Sequence, residues 1–331
     1  MICYNEFINA NKLNQMQTGG QKIMAYKKIR ANAMQSTNGK ARSGHCVECG
    51  RMTNEAMGGI RVTIPSQKNG VWVCADHRGK RNLKGYGDEN NKKVGSGNSD
   101  NITISIELES MGISTHARAY LVKNGFMPTS DCTVDIEYKS PIYTSKQSLA
   151  KVMGCVDYMD KNPNYNFRVN HSSCGLHTHF GFDDNHFDFT TLRYDYETLF
   201  KPLSDYVNSL DDLDIRAIFG RSFQTYNRAL NYYCPLAHEN WINIQHSYSV
   251  EIRMPRFTDV DKYMRFVECF KKIFKALNTY YISRGAYRTE KHEANAKKAS
   301  EKMLAIFKKE YADVIHTEWI DESMINERET A

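Results

Sequence analysis

Four segments of the chain share one pattern, and this pattern limits the folds that the sequence can adopt. Each segment places polar or charged side chains at positions i and i+2, with apolar side chains between and beside them. The pairs are Glu107 with Glu109, Asp135 with Glu137, His177 with His179, and Glu251 with Arg253. Successive side chains of a β-strand point to opposite faces of a sheet, so each segment predicts a strand with one apolar and one polar face.

Helical patterns separate and follow these predicted strands. The segments "STHARAYLVKN", "TSKQSLAKVMGCVDYMDK", "TDVDKYMRFVECFKKIFKALNTYY" and "TEKHEANAKKASEKMLAIFKKEYADVI" predict helices, the first capped by Ser114 or Thr115 and the third opened by Thr258. A further helix is predicted for "DFTTLRYDYETLFKPLSDYVNSL", with a break or kink at Pro202, and "FRVNHS" predicts a short strand. The segments "NWINIQH" and "SVEIRMPRF" predict a β-hairpin. The hairpin favours an α+β fold with an antiparallel sheet covered by helices over a doubly wound parallel sheet.

The polar residues of the four pairs are carboxylates, imidazoles and one guanidinium, and lysine is absent from these eight positions. Such side chains bind hard divalent cations and phosphate groups. Carboxylates that converge repel one another unless a cation neutralises them, so a shared polar face predicts Mg²⁺ or Mn²⁺, with more than one ion. The alternative for any single pair is a half-exposed strand whose polar face is only solvated.

In chain order, the segments "IELES", "DCTVDIEYKSPI", "CGLHTHFGF" and "SVEIRMPRF" resemble the motifs of the amidoligase family. This family belongs to the glutamine synthetase-like superfamily of carboxylate–amine ligases, which also includes glutamate–cysteine ligase. The resemblance covers about residues 101–280, and its specificity comes from the order of four motifs that are individually weak. It implies an antiparallel sheet curved into a cup, which ATP enters at one end and the acceptor substrates at the other.

By motif match, the resemblance also assigns site residues. It implies divalent-ion ligands at Glu107, Glu109, Glu137, His177 and Glu251, and a further acidic position at Asp131. It implies catalytic groups at Arg253, His179 and Glu251, with His179 facing the ATP phosphates and Arg253 steadying the transferred phosphoryl group, and nucleotide or substrate contacts at Arg221 and Asn243. The chain departs from the family's pattern after Asp131, where Cys132 stands in place of a frequent glycine.

The reaction implied by the resemblance is the ATP-dependent joining of a carboxylate and an amine. ATP would convert a small-molecule or peptide carboxylate into an acyl phosphate, which the amine then attacks. Two alternatives stay open. One is a metal-dependent hydrolase, for which His-x-His is also a ligand pair, although His186, His238 and His246 form no clear ligand pattern in the sequence. The other is a non-catalytic binding or structural protein with the same fold.

A second kind of metal site is predicted near the N-terminus. Cys46 and Cys49 form one C-x₂-C pair, and Cys74 and His77 form a C-x₂-H pair after the predicted strand "VWV". This spacing is typical of a zinc-ribbon-like Cys₃His site for Zn²⁺, with His45 as a weaker alternative ligand. In so small a module the ion would take the place of a hydrophobic core. It would either be structural or present the neighbouring basic segment to a nucleic acid or protein.

Charge and composition divide the chain further. Residues 1–100 carry 16 Lys+Arg against 7 Asp+Glu, whereas the whole chain has a formal charge of +6. We therefore predict a basic arm at 1–43, the zinc module at 44–77, a flexible linker at 78–100 and the catalytic domain at 101–331. The basic surplus is compatible with a nucleic-acid or protein partner. Nine cysteines, an odd number, with neither a signal peptide nor a membrane-spanning run, predict a cytoplasmic protein with no membrane contact.

Overall fold

The computed structural model describes residues 43–64, 67–85, 87–95, 101–183, 187–223, 237, 239–284 and 288–315. The predicted basic arm at 1–43 lies outside the described residues, apart from Ser43. Over the described ranges the chain forms a mixed α+β structure, as predicted. A small module with two β-ribbons comes first, and a larger sheet with helices follows.

The small module consists of two antiparallel ribbons. Strand β1 (Ser43–His45) pairs with β2 (Met52–Asn54), and β3 (Ile60–Ile64) pairs with β4 (Gln67–Val73). The predicted strand before the second ligand pair is β4, and a 3₁₀ turn over Ala75–His77 follows it. The ribbons therefore bring the two halves of the Cys/His motif to one end of the module.

The main sheet contains eight described strands. They are β5 (Lys93–Val94), β6 (Ile102–Ser110), β7 (Met127–Thr129), β8 (Ile136–Lys139), β9 (Ile142–Tyr143), β10 (Leu176–Phe182), β11 (Ile242–Asn243) and β12 (Val250–Ile252). Six of them form the order β11-β12-β10-β6-β8-β7, in which every neighbouring pair is antiparallel. The predicted hairpin is confirmed as β11 and β12. The purely antiparallel prediction was wrong at one edge, because β9 joins β6 and pairs in parallel with β5.

Six described helices accompany the sheet. They are α1 (Thr115–Lys123), α2 (Lys146–Lys161), α3 (Leu192–Ser209), α4 (Asp212–Phe219), α5 (Val260–Ser283) and α6 (Glu290–Tyr311). Ser114 caps α1 as predicted, whereas Asp259, one residue after the predicted Thr258, caps α5. Pro202 lies within α3, which continues through it. None of the described helices is both long and apolar enough to cross a membrane.

The apolar face of the sheet packs against these helices, as the alternation predicted. Ile104, Ile106 and Leu108 of β6 are all buried. Phe180 of β10 stacks on Phe274 of α5, with ring centroids 4.9 Å apart. Since alternate side chains point the other way, this packing leaves the predicted polar residues together on the opposite face.

The segment "FRVNHS", predicted to be a strand, is not one. Arg168 forms only an isolated bridge with Met111. The amides of Val169 and Asn170 instead donate to Oδ1 of Asp160, at 2.6 and 3.1 Å. A carboxylate at the end of α2 thus takes the hydrogen bonds that a neighbouring strand would otherwise have received.

The described part of the predicted linker, residues 78–85 and 87–95, lies against the main sheet, and we call it the strap. The Lys84 amide donates to the Pro128 carbonyl at 3.1 Å. Nδ2 of Asn90 donates to the carbonyls of Gly125 and Lys139 at 2.7 and 3.0 Å. The strap ends in β5. Its polar composition, read as a flexible linker, instead supplies hydrogen bonds to the edge of the sheet.

Candidate active site and metal centres

Strand register brings the predicted polar residues into adjacent rows. The pairs across the sheet are His177 with Glu107, His179 with Ser105 and with Glu251, Glu109 with Glu137, and Asn243 with Glu251. Directly opposed side chains on antiparallel strands lie about 4.5–5.5 Å apart at Cβ. The structure thus gathers polar residues from β6, β8, β10, β11 and β12 on one face.

Glu251 lies at the centre of this face. Its Oε1 is 3.2 Å from Nδ1 of His177 and 2.6 Å from Nη1 of Arg253. Its Oε2 accepts a hydrogen bond from Nδ2 of Asn243 at 2.8 Å and lies 3.5 Å from Nε2 of His246. The two oxygens of one carboxylate therefore face two different sets of nitrogen atoms.

Two triads around Glu251 have ligand atoms within 4.8 Å of one another. One contains Glu107, His177 and Glu251, and the other contains His179, His246 and Glu251. We call these five residues the carboxylate–imidazole cluster. Carboxylate oxygens suit Mg²⁺ and Mn²⁺, whereas imidazole nitrogens favour transition metals, so this mixed donor set fits Mn²⁺ at least as well as Mg²⁺.

His246 was not assigned to the site from the sequence. It comes from the turn between β11 and β12, and its ring packs edge-on against His179 with centroids 4.9 Å apart. No i, i+2 pattern marks it, because it lies outside a strand. The sequence indicated its place only through the predicted hairpin, because His246 ends the segment "NWINIQH".

Burial excludes a merely solvated polar face. Glu251, His177 and His179 are 1%, 5% and 6% exposed. Burial would raise the pKa of Glu251, but the hydrogen bond with His246 and the charge of Arg253 hold that pKa well below its ordinary value. Burial lowers the pKa of His179. A buried charged group is stable only when it is paired, and here the pairing groups lie on neighbouring strands.

Glu107 connects the cluster to the strand β8. Burial would raise its pKa, but the hydrogen bond from His177 and the charge of His179 lower it to about 2. Oε1 of Glu107 also lies 3.4 Å from Nζ of Lys139. Lys139, which the sequence pattern did not single out, thus supplies positive charge to this face.

Glu137 lies beside this lysine rather than at the centre of the cluster. Its Oε1 is 3.7 Å from Nζ of Lys139 and accepts a hydrogen bond from Thr129 at 2.9 Å. Burial and the negative charge of Glu107 raise the pKa of Glu137 to about 8, against the attraction of Lys139. Whether Glu137 binds a metal ion stays a prediction.

Glu109 is held by backbone and lies beside His177. Its Oε2 accepts a hydrogen bond from the Gly175 amide at 2.5 Å, and its Oε1 is 3.7 Å from Nε2 of His177. A Cβ atom at position 175 would lie 2.7 Å from Nε2 of His177, so a larger residue there would have to displace the imidazole. The "CGLH" motif therefore positions both a predicted carboxylate and a predicted imidazole.

The two predicted arginines have different surroundings. Arg253 bonds to Glu251 within the polar face. Arg221 donates to the backbone carbonyls of Met254 and Arg253, the former at 2.9 Å, and burial lowers its pKa to about 10. Arg221 therefore fixes the end of β12, and its predicted role as a nucleotide contact stays a prediction.

Two predicted acidic residues lie outside the cluster. Oδ1 of Asp131 accepts hydrogen bonds from the amide and the hydroxyl of Thr133, which close a local turn. Asp135 precedes β8 and pairs with Lys80 at 2.6 Å. The i, i+2 pattern at Asp135 and Glu137 therefore contributes one carboxylate to the polar face instead of two.

A cavity of about 610 Å³ opens along the polar face. Of the sequence-predicted site residues, its lining includes Glu107, His179, Glu251 and Arg253. The strap contributes Gly87, Glu89, Asn90, Asn91 and Lys93 to its lining, and the hairpin turn contributes Gln245, His246, Tyr248 and Ser249. The size is typical of small-molecule sites, and the polar walls suit charged ligands.

The Cys/His motif of the small module forms a separate centre. The ligand atoms of Cys46, Cys49, Cys74 and His77 lie within 4.8 Å of one another. Nδ1 of His77 is 3.0 Å from Sγ of Cys74 and 3.8 Å from Sγ of Cys46, and the sulfurs of Cys49 and Cys74 are 4.0 Å apart. Tetrahedral Zn²⁺ bonds of about 2.0–2.3 Å correspond to ligand separations of roughly 3.5–3.8 Å, so the four donors fit zinc.

Two further observations bear on the zinc ligands. Burial and the hydrogen bond with Cys46 raise the pKa of the Cys74 thiol to about 11, so its thiolate form needs a neighbouring cation. His45, the alternative ligand, places its Nδ1 2.7 Å from the Gly50 carbonyl oxygen. The predicted Cys₃His set is therefore the group that comes together.

Comparisons of the chain with protein-family models, with curated proteins and with solved structures each find no match.

Proposed function

We propose that this protein is an ATP-dependent carboxylate–amine ligase with a glutamine synthetase-like cup. The observation that carries the proposal is the position of Glu251. This residue belongs to both triads of possible metal ligands and lines a cavity of about 610 Å³. Phosphoryl transfer from ATP needs divalent charge beside the moving phosphoryl group and a fixed cationic side chain. The resemblance of four ordered motifs to the amidoligase family supports the same assignment.

In this proposal each residue has a stated task. Glu107, His177 and Glu251 would hold one divalent ion, and His179 and His246 with Glu251 would hold a second. Bound ions would neutralise the phosphate oxygens and stabilise the charge that develops during transfer. Arg253, oriented by Glu251, directs its guanidinium into the cavity wall beside that charge.

The substrates follow from the chemistry. The carboxylate oxygen of a small molecule or peptide attacks the terminal phosphorus of ATP, and ADP leaves. The amine nitrogen then attacks the acyl phosphate carbon, phosphate leaves, and the amine loses a proton. The N-terminal arm, through its basic surplus, would serve a nucleic-acid or protein partner.

One observation favours a second candidate, a metal-dependent hydrolase. A hydrolase site of this kind needs additional histidines near the His-x-His pair, and His246 lies beside His179. Lys139, Arg253 and the cavity are compatible with either reaction. The two candidates differ in whether ATP is consumed.

A hydroxylamine trap separates them. The full chain with ATP and Mg²⁺ or Mn²⁺ is incubated with pools of carboxylates, and hydroxylamine serves as a general amine that converts an acyl phosphate into a hydroxamate. The ligase proposal expects carboxylate-dependent ADP release together with a hydroxamate. Glu251→Gln is expected to lower this turnover about 100-fold or more, whereas Glu197→Gln, an exposed change on α3, should leave it unaltered.

Other outcomes point elsewhere. Metal-dependent cleavage of amides or phosphate esters without ATP consumption would support the hydrolase and contradict the ligase proposal. If the parent protein binds neither Mg²⁺–ATP nor Mn²⁺–ATP and cleaves neither amides nor phosphate esters, the remaining alternative is a non-catalytic binding protein.

A further inference from the structure

Glu48 lies between the Cys₃His centre and helix α1, and its carboxylate faces both. Its Oε2 is 4.0 Å from Nε2 of His77, the nitrogen opposite the one that faces the thiols. This distance is too long for a hydrogen bond but short enough for charge attraction. Metal-ligating histidines commonly direct their second nitrogen towards a carboxylate, which orients the ring and strengthens the ligand.

The same carboxylate pairs with Arg118 of α1. Nη2 of Arg118 donates to Oε2 of Glu48 at 2.8 Å, and Nε lies 2.8 Å from Oε1, outside hydrogen-bond geometry. The Arg118 side chain is 1% exposed and that of Glu48 is 9% exposed. Loss of one partner of a buried ion pair is strongly destabilising, because the other charge stays buried.

Arg118 also holds the start of the strap. Its Nη1 donates to the carbonyls of Gly79 and Arg81, the latter at 2.8 Å. Glu48 lies in the loop between Cys46 and Cys49, and the strap begins directly after His77. The two loops that supply the metal ligands therefore also supply the partners of one buried guanidinium.

The other end of the strap reaches the cavity. Glu89 accepts a hydrogen bond from the hydroxyl of Tyr248, in the hairpin turn, at 2.6 Å. Lys93 pairs with Asp183 at 2.6 Å. Both Glu89 and Lys93 line the cavity, so the strap forms part of its wall.

We propose that the Cys₃His centre, when it holds its metal ion, keeps the strap attached to the sheet along the wall of the cavity through His77, Glu48 and Arg118. The ion fixes the Cys46–Cys49 loop and the turn at Cys74–His77 relative to each other. These two segments place Glu48 and the strap carbonyls around Arg118, and the anchored strap then continues to β5. Glu48 and Arg118 are positioning residues in this device. The proposal goes beyond the ligase function and does not depend on it.

Hydrogen exchange on the full chain, followed by NMR, tests the device. The Ile142 and Thr144 amides donate to the strap carbonyls of Lys92 and Val94, at 2.7 and 3.1 Å, and thus report its attachment. The Leu176 amide, which donates to Pro255, reports the centre of the sheet. Removing zinc with a chelator is expected to speed exchange at the two reporters about tenfold or more and to leave Leu176 protected. Reporters that stay protected in the zinc-free protein would overturn the proposal.

Zinc removal could also expose the Leu176 amide by opening the whole sheet. A matched pair of variants tests the proposal in that case, because it leaves zinc in place. Glu48→Gln is expected to weaken zinc binding about 10–100-fold in a chelator competition. At saturating zinc it should still expose the Ile142 and Thr144 amides. Glu55→Gln makes the same change at an exposed position of the module and should do neither. If Glu48→Gln binds zinc like the parent and keeps both amides protected, Glu48 does not link the Cys₃His centre to the strap. Neither measurement uses ATP, so failure of the ligase proposal would leave this result unaffected.

Discussion

Nδ1 of His177 lies 3.2 Å from Oε1 of Glu251, on the diagonal between β10 and β12. Register alone pairs Glu251 with His179, so the contact with His177 depends on the reach of both side chains across the pleated face. Diagonal neighbours on antiparallel strands are within reach of each other when the side chains are long. This diagonal makes Glu251 a member of both triads.

The first prediction concerns that contact. His177→Ala removes one ligand from the triad with Glu107, and we expect Mn²⁺ affinity to fall and metal-dependent turnover to drop about 100-fold, or about 3 kcal/mol. Mn²⁺ titration and ATP turnover measure the two effects, with circular dichroism to confirm folding. His116→Ala removes an exposed imidazole of α1 and serves as the control. Parent-like metal binding by a folded His177→Ala protein would show that the site lies elsewhere.

The second prediction is the metal content of the small module. We expect about one Zn²⁺ per chain by elemental analysis, since the four donor atoms lie within 4.8 Å of one another, close enough to bind one ion. Cys74→Ser should lose the ion, whereas Cys132→Ser, at an exposed thiol outside the module, should retain it. Less than about a tenth of an equivalent in a folded parent protein would contradict the zinc assignment.

The third prediction tests the close approach at Gly175. In Gly175→Ala the new Cβ would meet Nε2 of His177 at 2.7 Å and Nη2 of Arg221 at 3.3 Å. Such overpacking costs about 1–3 kcal/mol, and the displaced imidazole should also weaken divalent-ion binding.

The control for this change has the opposite expected sign. Gly154 lies inside α2, and a Cβ there meets nothing within 4 Å. Gly154→Ala should therefore stabilise the protein by roughly 0.5–1 kcal/mol. Denaturant unfolding measures both variants. Equal effects of the two substitutions would mean that Gly175 is not constrained by the site.

The fourth prediction separates the two faces of β10. Phe180 stacks on Phe274 in the core, so Phe180→Ala should lower the free energy of unfolding by about 3–5 kcal/mol. His179→Ala, on the polar face, should cost less stability but remove metal-dependent turnover. Unfolding curves and turnover assays on both variants decide this. A larger stability loss for His179→Ala than for Phe180→Ala would contradict the assignment of Phe180 to the core-facing side of β10.

Parts of the site followed from local sequence, and others did not. The alternation in "ISIELES" predicted that Ile106 and Glu107 point to opposite faces, and the structure has them so. The same reasoning failed at Asp135, which stands just outside β8 and bonds to Lys80. A pattern of period two is informative only where a strand persists, and a turn at its end redirects the side chain.

What the sequence by itself determined was the division of β6, β10 and β12 into an apolar and a polar face, the hairpin, and the two ligand pairs of the Cys₃His set. Backbone geometry fixes these features because each one relates residues a few positions apart. Only the tertiary structure decided which side chains meet. The diagonal between β10 and β12 brought His177 to Glu251, and the turn between β11 and β12 brought His246 to it. The fold also brought Lys139 to Glu107, and docking of the module joined Glu48 to Arg118. Such contacts join residues far apart in the chain, and they form only when burial of the apolar faces has fixed how the strands and helices pack.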